Sequence, residues 1–279
     1  MKASPRNGAR KRGVADASAA IGIFDSGIGG LTVMREIMAM LPHEQLIYLG
    51  DTGRYPYGSK SADTVRRYSI ENAAFLADKG IKMLVVACNT SAAVALDVLS
   101  EQLAVPVIGV IEPGARAAVK RTRNRKVGVI GTEGTIASGA YTRALKRLDA
   151  QLEIYTRACP LFVPLAEEGW VNNAVARSAA GLYLTSLKRS GIDTLVLGCT
   201  HYPLLAEVIA EFLGDKVRLV DSARTTAEAI RETLLRYGLL QRSGAGSASF
   251  FVTDATDRFT KVGARFMGHP VESAVRIER

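Results

Sequence analysis

The sequence predicts an α/β chain made of two similar doubly wound parallel-sheet domains, related by internal duplication, with the active site in the cleft between them. Three observations carry that expectation. From Ile21 onward, short runs rich in β-branched residues alternate with helix-length amphipathic stretches, the pattern of parallel strands covered by helices on both faces. GIKMLVVACNTSAAVALDVL at 80–99 and GIDTLVLGCTHYPLLAEVI at 191–209 align without a gap from Gly80 and Gly191, which sets Cys88 on Cys199. A weaker echo pairs IGIFDSGIGG at 21–30 with VGVIGTEGT at 127–135. Both echoes are separated by about the length of a small domain, far beyond the roughly 20–50 residues of a solenoid repeat.

Taken in order, residues 1–19 are rich in Gly, Ala, Ser and Arg without hydrophobic period, so a disordered basic tail is expected there. Strands are expected at IGIFD, QLIYLGD, MLVVAC, VPVIGV, KVGVIG, LEIYT, TLVLGC and VRLVD, each bounded by Gly, Pro or charge. Helices fill the intervals, as in TVRRYSIENAAFLADKG at 64–80. After the Gly-rich connector QRSGAGSAS, the run SASFFVTD and the stretch TDRFTKVGARFMG read as one more strand and helix. A lone strand and helix cannot make a core, so they are expected to pack back on the first domain. The resulting division is 20–114 plus 223–279 for the first domain and 115–222 for the second.

Composition narrows the class. A chain of 279 residues with 48% hydrophobic and 23% charged residues is ordinary for a soluble globular protein. It has no apolar stretch near the ~20 residues of a membrane span and no secretory signal, which leads to the expectation of a cytoplasmic protein with no membrane partner. The cysteines Cys88, Cys159 and Cys199 show no CxxC spacing, and there are three histidines, so neither disulfides nor a metal site is expected. The net charge of +9 is concentrated in part in the first 20 residues, where Lys2, Arg6, Arg10, Lys11 and Arg12 stand against Asp16. Without RNP, KH or zinc-finger signatures, that charge argues against a nucleic-acid partner and reads as a solvated surface.

Ligands of open parallel sheets bind beyond the carboxyl ends of the strands. DSGIGG, GDTGRYPYG, ACNTS, GTEGT and GCTHYP all fall at such ends. DSGIGGLT lacks the last glycine of GxGxxG, and no GxxxxGK[ST] occurs, so a nucleotide site is not expected. A cysteine at a strand end before a helix has its thiolate favoured by backbone N–H groups and the helix dipole. One such cysteine is as well explained by packing. Two at equivalent positions could approach one carbon from opposite faces, which suits racemisation at Cα of an amino acid. Each thiol then needs a partner that manages its proton. Asp25 and His201 qualify, although Asp25 also suits a turn or helix cap and His201 a hydrogen-bonded loop position.

Together IGIFDSGIGGLTV, YLGDTGRYPYG, VVACNTSA, GVIGTEGT and LVLGCTHYPLL resemble the glutamate racemases, members of the cofactor-independent aspartate/glutamate racemase family, over about residues 21–267. The resemblance implies interconversion of L- and D-glutamate without pyridoxal phosphate or metal, supplying D-glutamate for peptidoglycan. It implies that Cys88 is the base for D-glutamate, assisted by Asp25, and Cys199 the base for L-glutamate, assisted by His201 and a glutamate. That glutamate is Glu167 by its position in PLAEEG, with Glu168 a close rival. Substrate contacts implied are Asp25, Ser26, Tyr57, Gly58, Asn89, Thr90, Thr132, Thr135, Thr200 and His201, several of which equally suit local turn and cap bonding. The resemblance also implies a homodimer, and the basic tail resembles that of extended members that depend on a peptidoglycan-precursor activator. Cys159 has no counterpart in the repeat and reads as packing. Two alternatives stand: a racemase of aspartate or another amino acid, disfavoured by His201 after the second Cys-Thr, and a regulatory binding protein using its basic surface.

Overall fold

The structure, a computed structural model, describes residues 16–278. Its first sheet is built from β1 (Ile21–Asp25), β2 (Gln45–Gly50), β3 (Met83–Val86), β4 (Val107–Gly109), β9 (Ser247–Val252) and β10 (Val275–Arg276), in the order β10-β9-β2-β1-β3-β4. The second contains β5 (Lys126–Gly131), β6 (Glu153–Ala158), β7 (Thr194–Gly198) and β8 (Arg218–Asp221), in the order β6-β5-β7-β8. Every pairing is parallel. Helices α1 (Leu31–Met40), α2 (Ala62–Asp78), α3 (Asn89–Gln102) and α4 (Ile111–Arg121) connect the first sheet and lead into the second. The second carries α5 (Glu133–Ala137), α6 (Ala140–Leu148), α7 (Phe162–Glu168), α8 (Ala174–Arg189) and α9 (Ala206–Leu213), and α10 (Ser222–Tyr237) and α11 (Thr256–Met267) close the chain's return.

The central strands follow from their sequences. β1, β3 and β7 are buried along their whole length, as continuous apolar runs flanked by helices on both faces must be. β6 and β10 lie at sheet edges and are largely exposed. Helix starts are fixed locally: Ser61, Thr132, Asn173 and Asp221 each accept a backbone N–H of the first turn of α2, α5, α8 and α10. The chain returns to the first sheet through β9, which pairs with β2 from Gln45↔Ser247 to Gly50↔Val252. The division expected at 114/115 falls inside α4, which packs against α10 as well as α6 and β7. Small residues on these helices, among them Ala115, Ala118, Ala223 and Ala227, join one buried apolar cluster that reaches from Ile21 to Val196.

Most of the tail expected at 1–19 lies outside the described residues. Its end, Asp16–Ala19, forms a turn in which Asp16 Oδ1 accepts the Ser18 N–H at 2.9 Å and Lys82 Nζ donates to the Ala17 carbonyl. Among the described residues no helix is long and apolar enough to cross a membrane.

What positions the site is the strand order. In the first sheet the chain moves from β1 to β2 on one side and to β3 on the other; in the second, from β5 to β6 and then to β7. Each sheet therefore reverses direction once, between β1 and β3 and between β5 and β7, and a crevice opens beyond the strand ends at each reversal. Ser26 and Cys88 lie at the first crevice, Thr132 and Cys199 at the second.

Candidate active site

The two crevices face one cavity of about 310 Å³. Of the residues singled out in the sequence, Ser26, Tyr57, Gly58, Cys88, Asn89 and Thr90 line it from the first sheet. Thr132, Glu167, Cys199, Thr200 and His201 line it from the second. Asp25 and Thr135 do not line it: each is 1% exposed and sits behind the wall. Glu168 is exposed, whereas Glu167, one position earlier on α7, is turned inward. Cys159 is fully buried, its thiol donating to the Arg157 carbonyl at 3.6 Å, away from the cavity.

Cys88 is the residue that caps the N-terminus of α3. Burial pushes its thiol up to about 11, and the Asp25 charge adds to the rise, against lowering by the Ser91 backbone N–H and the Ser26 hydroxyl. Desolvation thus outweighs the helix terminus. The thiol donates to Ser26 Oγ at 3.6 Å. Asp25 stands apart from it, with Oδ1 accepting the Gly27 N–H at 2.9 Å and Oδ2 facing the Thr200 hydroxyl at 3.5 Å. Burial raises the Asp25 carboxyl above the ordinary carboxylate range, against the opposing His201 charge.

Cys199 follows β7 directly, and its sulfur lies 3.8 Å from His201 Nδ1. The other ring nitrogen, Nε2, is 3.2 Å from Glu167 Oε1. Burial works against charge on His201, but its contacts with Cys199 and Glu167 and the field of Asp25 prevail and raise it to about 10. Glu167 is held below its usual range: burial opposes ionisation, and hydrogen bonds from His201, Arg258 and Tyr55 overcome it. The imidazole is confined on the sides away from the cavity. Tyr55 stacks on it at 6.3 Å between centroids, and Phe266 meets it edge-on at 5.1 Å. On a third side lies Gly29, where a Cβ would come within 2.5 Å of the ring.

The two halves are also joined across the cleft. Thr90 Oγ1 lies 2.9 Å from Thr132 Oγ1 and 3.2 Å from Thr135 Oγ1. The Gly134 N–H donates to the Gly58 carbonyl at 2.8 Å. Tyr141 donates to Asn89 Oδ1 at 2.7 Å, while Asn89 Nδ2 is buried without a partner. An unpaired amide on a residue that lines the cavity is a donor ready for a carboxylate. Tyr57 is anchored beneath the wall, its hydroxyl donating to Asp51 Oδ2 and accepting from Asn72 Nδ2 at 3.1 Å.

Sequence reasoning did not single out Tyr55, Pro56, Ser59, Glu133, Pro160, Val163 or Pro164, which also line the cavity. Tyr55 and Pro56 were within reach, because GDTGRYPYG is itself one of the converging loops, and Ser59 follows it directly. Arg258 and Arg265 of α11 were not, since they lie far along the chain. Among the described residues no group of three or more His, Cys, Asp or Glu side chains is arranged to hold a metal ion.

The chain is similar over most of its length to known proteins. The model of the Asp/Glu/Hydantoin racemase family matches residues 21–230. A glutamate racemase of Geobacter metallireducens is 59% identical over 251 residues, covering 89% of this chain and 93% of the relative. Among solved structures, a glutamate racemase isoform from Bacillus anthracis superposes with a TM-score of 0.90 at 42% identity, over 93% of this chain and 97% of the other. The enzyme from Francisella tularensis, solved with D-glutamate, gives 0.89 at 36% identity over 94% and 98%. That from Escherichia coli, solved with L-glutamate and the activator UDP-MurNAc-ala, gives 0.75 at 30% over 93% and 98%. The chain belongs to the Asp/Glu/Hydantoin racemase family.

Proposed function

We propose that this chain interconverts L- and D-glutamate without a cofactor, by proton transfer at Cα between Cys88 and Cys199. One observation carries the reading: two thiols at equivalent strand ends of two similar sheets line one cavity. With D-glutamate, the Cys88 thiolate takes the Cα proton and the electron pair stays on carbon, delocalised into the carboxylate. The Cys199 thiol then gives its proton to the opposite face, and L-glutamate leaves. The reverse reaction exchanges the roles.

The surroundings support each role. A thiol raised to about 11 is a strong base once ionised, and Asp25 behind it strengthens that base. On the other side, His201 between Cys199 and Glu167 can hold a proton against the sulfur, stabilising a thiolate there. The hydroxyls of Ser26, Thr90, Thr132 and Thr200 and the Asn89 amide supply neutral donors, which bind carboxylates without competing for the Cα proton.

The experiment is incubation of the purified chain with L-glutamate in D2O without pyridoxal phosphate, following the Cα–H signal and optical activity together. Loss of both supports the reading; a rate with L-aspartate above that with L-glutamate sinks the substrate assignment. The reading further comprises a cytoplasmic homodimer that supplies D-glutamate for peptidoglycan, with a peptidoglycan precursor as its activator. Sedimentation tests the dimer, and rates with and without UDP-MurNAc-alanine test the activator, motivated by its presence in the Escherichia coli relative.

A further inference from the structure

We infer that Arg258, on α11, is a positioning residue for the Cys199 half of the site, an inference that rests on the two-thiol reading above. Glu167 divides its carboxylate among Arg258, His201 and the Tyr55 hydroxyl. Oε2 accepts from Arg258 Nη2 at 3.1 Å, and Oε1 faces His201 Nε2 at 3.2 Å. Arg265, about two turns further along α11, donates from Nη1 to the Glu167 carbonyl oxygen. Its guanidinium lies against Gly169, which ends α7 at a left-handed φ of 76° and where a Cβ would come within 3.1 Å of Arg265 Cζ. Two arginines of one helix therefore grip both the side chain and the backbone of Glu167.

The consequence concerns which nitrogen of His201 faces the thiol. A carboxylate fixed at Nε2 accepts the proton carried there, so Nδ1 is left for Cys199 Sγ. In the neutral ring Nδ1 accepts from the thiol; in the imidazolium it donates to the thiolate. Removal of the Arg258 charge loosens Oε2 and raises the Glu167 carboxyl, since the guanidinium adds to His201, the larger influence, and to Tyr55 in favouring its ionised form. Arg258 does not line the cavity, so it acts only through Glu167 and His201.

The test uses the full chain with Arg258→Gln and Arg258→Lys. The first readout needs no turnover: the imidazole 15N–1H spectrum of substrate-free protein. The chain has three histidines, and His43 and His269 are exposed, so a slowly exchanging imidazole N–H belongs to His201. The parent and Arg258→Lys are expected to show a protected Nε2–H, and Arg258→Gln to lose it. The second readout is the pH profile of kcat/KM. In Arg258→Gln the acid limb moves up by about one unit, the low end of the range for a carboxylate losing a cation, because the Arg258 side chain is 59% exposed and screened by solvent. Arg258→Lys keeps the limb. A protected Nε2–H that persists in Arg258→Gln, or an acid limb that stays in place, overturns the inference. If the parent turns over no glutamate, the functional reading falls instead, and the imidazole spectrum alone decides the role of Arg258.

Discussion

Gly29→Ala tests whether the position of one imidazole ring controls the rate. A Cβ at Gly29 would lie 2.3 Å from Thr200 Oγ1 and 2.5 Å from both His201 Cε1 and Nδ1. Carbon contacts relax only near 3.5 Å, so the ring or the backbone must retreat by about 1 Å. The ring is held by Tyr55 on its face, Phe266 at its edge and Glu167 on Nε2, so the side left open to it is the cavity. Any retreat therefore disturbs the 3.8 Å approach of Nδ1 to Cys199 or the hydrogen bond to Glu167. Misplacement of a catalytic group by ~1 Å costs on the order of 10²-fold in rate, and overpacking a well-filled site costs about 1–3 kcal/mol of stability. The assay is kcat/KM for glutamate by circular dichroism, with urea unfolding alongside. Gly80→Ala is the control: its φ of 74° makes a side chain strained, yet nothing lies within 4 Å. It should lose about 1–2 kcal/mol of stability and retain its rate. A Gly29→Ala enzyme within threefold of the parent in kcat/KM would refute the argument, because the overlap would then have been absorbed without cost at His201.

Three more outcomes follow from the same geometry. Cys88→Ser and Cys199→Ser should each reduce net racemisation by roughly 10²–10⁴-fold, the range for loss of one acid–base group; near-parental rates in either variant would end the two-thiol mechanism. Stability should fall on the alkaline side. His201 rises from 6.5 to about 10 on folding, so the native state holds the extra proton between those values, and its contribution is complete below 6.5 and gone above 10. Cys88 acts with the same sign, since the unfolded thiol ionises from 9.0 while the native one resists to about 11. Urea midpoints at pH 6.5, 8.5 and 10 should fall in that order, and less steeply in His201→Asn; a flat series contradicts both assignments. Finally, Lys82 and Glu44 form an ion pair with side chains 0% and 1% exposed. Lys82→Met should cost about 3–5 kcal/mol by stranding a buried carboxylate, and adding Glu44→Gln should recover part of it, read as the thermal midpoint.

The parts of the fold that were legible in the sequence are those where burial acts on consecutive residues. β1, β3 and β7 are buried throughout, and their continuous apolar runs say so directly. β10 could not be read, because two exposed edge residues, Val275 and Arg276, leave no pattern. The 114/115 division could not anticipate α4, whose packing against helices of both sheets depends on small residues such as Ala115 and Ala118 rather than on any break in hydrophobicity. The turn at Asp16–Ala19 depends on Lys82, which lies beyond two strands and two helices.

The site divides along the same line. Strand ends are local features, so the loops holding Ser26, Cys88, Thr132 and Cys199 could be found from the chain alone. The choice between Glu167 and Glu168 could not, since adjacent carboxylates look alike until the helix that carries them is oriented. What orients it is Arg258 and Arg265, some ninety residues downstream, acting on α7 from a helix that returns to the first sheet. Gly29 is a similar case: within DSGIGG it reads as turn glycine, whereas in the folded chain its missing Cβ is the space that His201 occupies. The duplication supplies two equivalent thiols, and the partners that make their environments unequal come from outside it. Cys88 faces Ser26 and the field of Asp25; Cys199 faces an imidazole fixed by Glu167, which α11 in turn holds. The proposed two-thiol mechanism requires each thiol to serve as base in one direction and acid in the other. The two halves can meet that demand by different means, one through a desolvated, strongly basic sulfur and the other through a sulfur with a resident proton carrier.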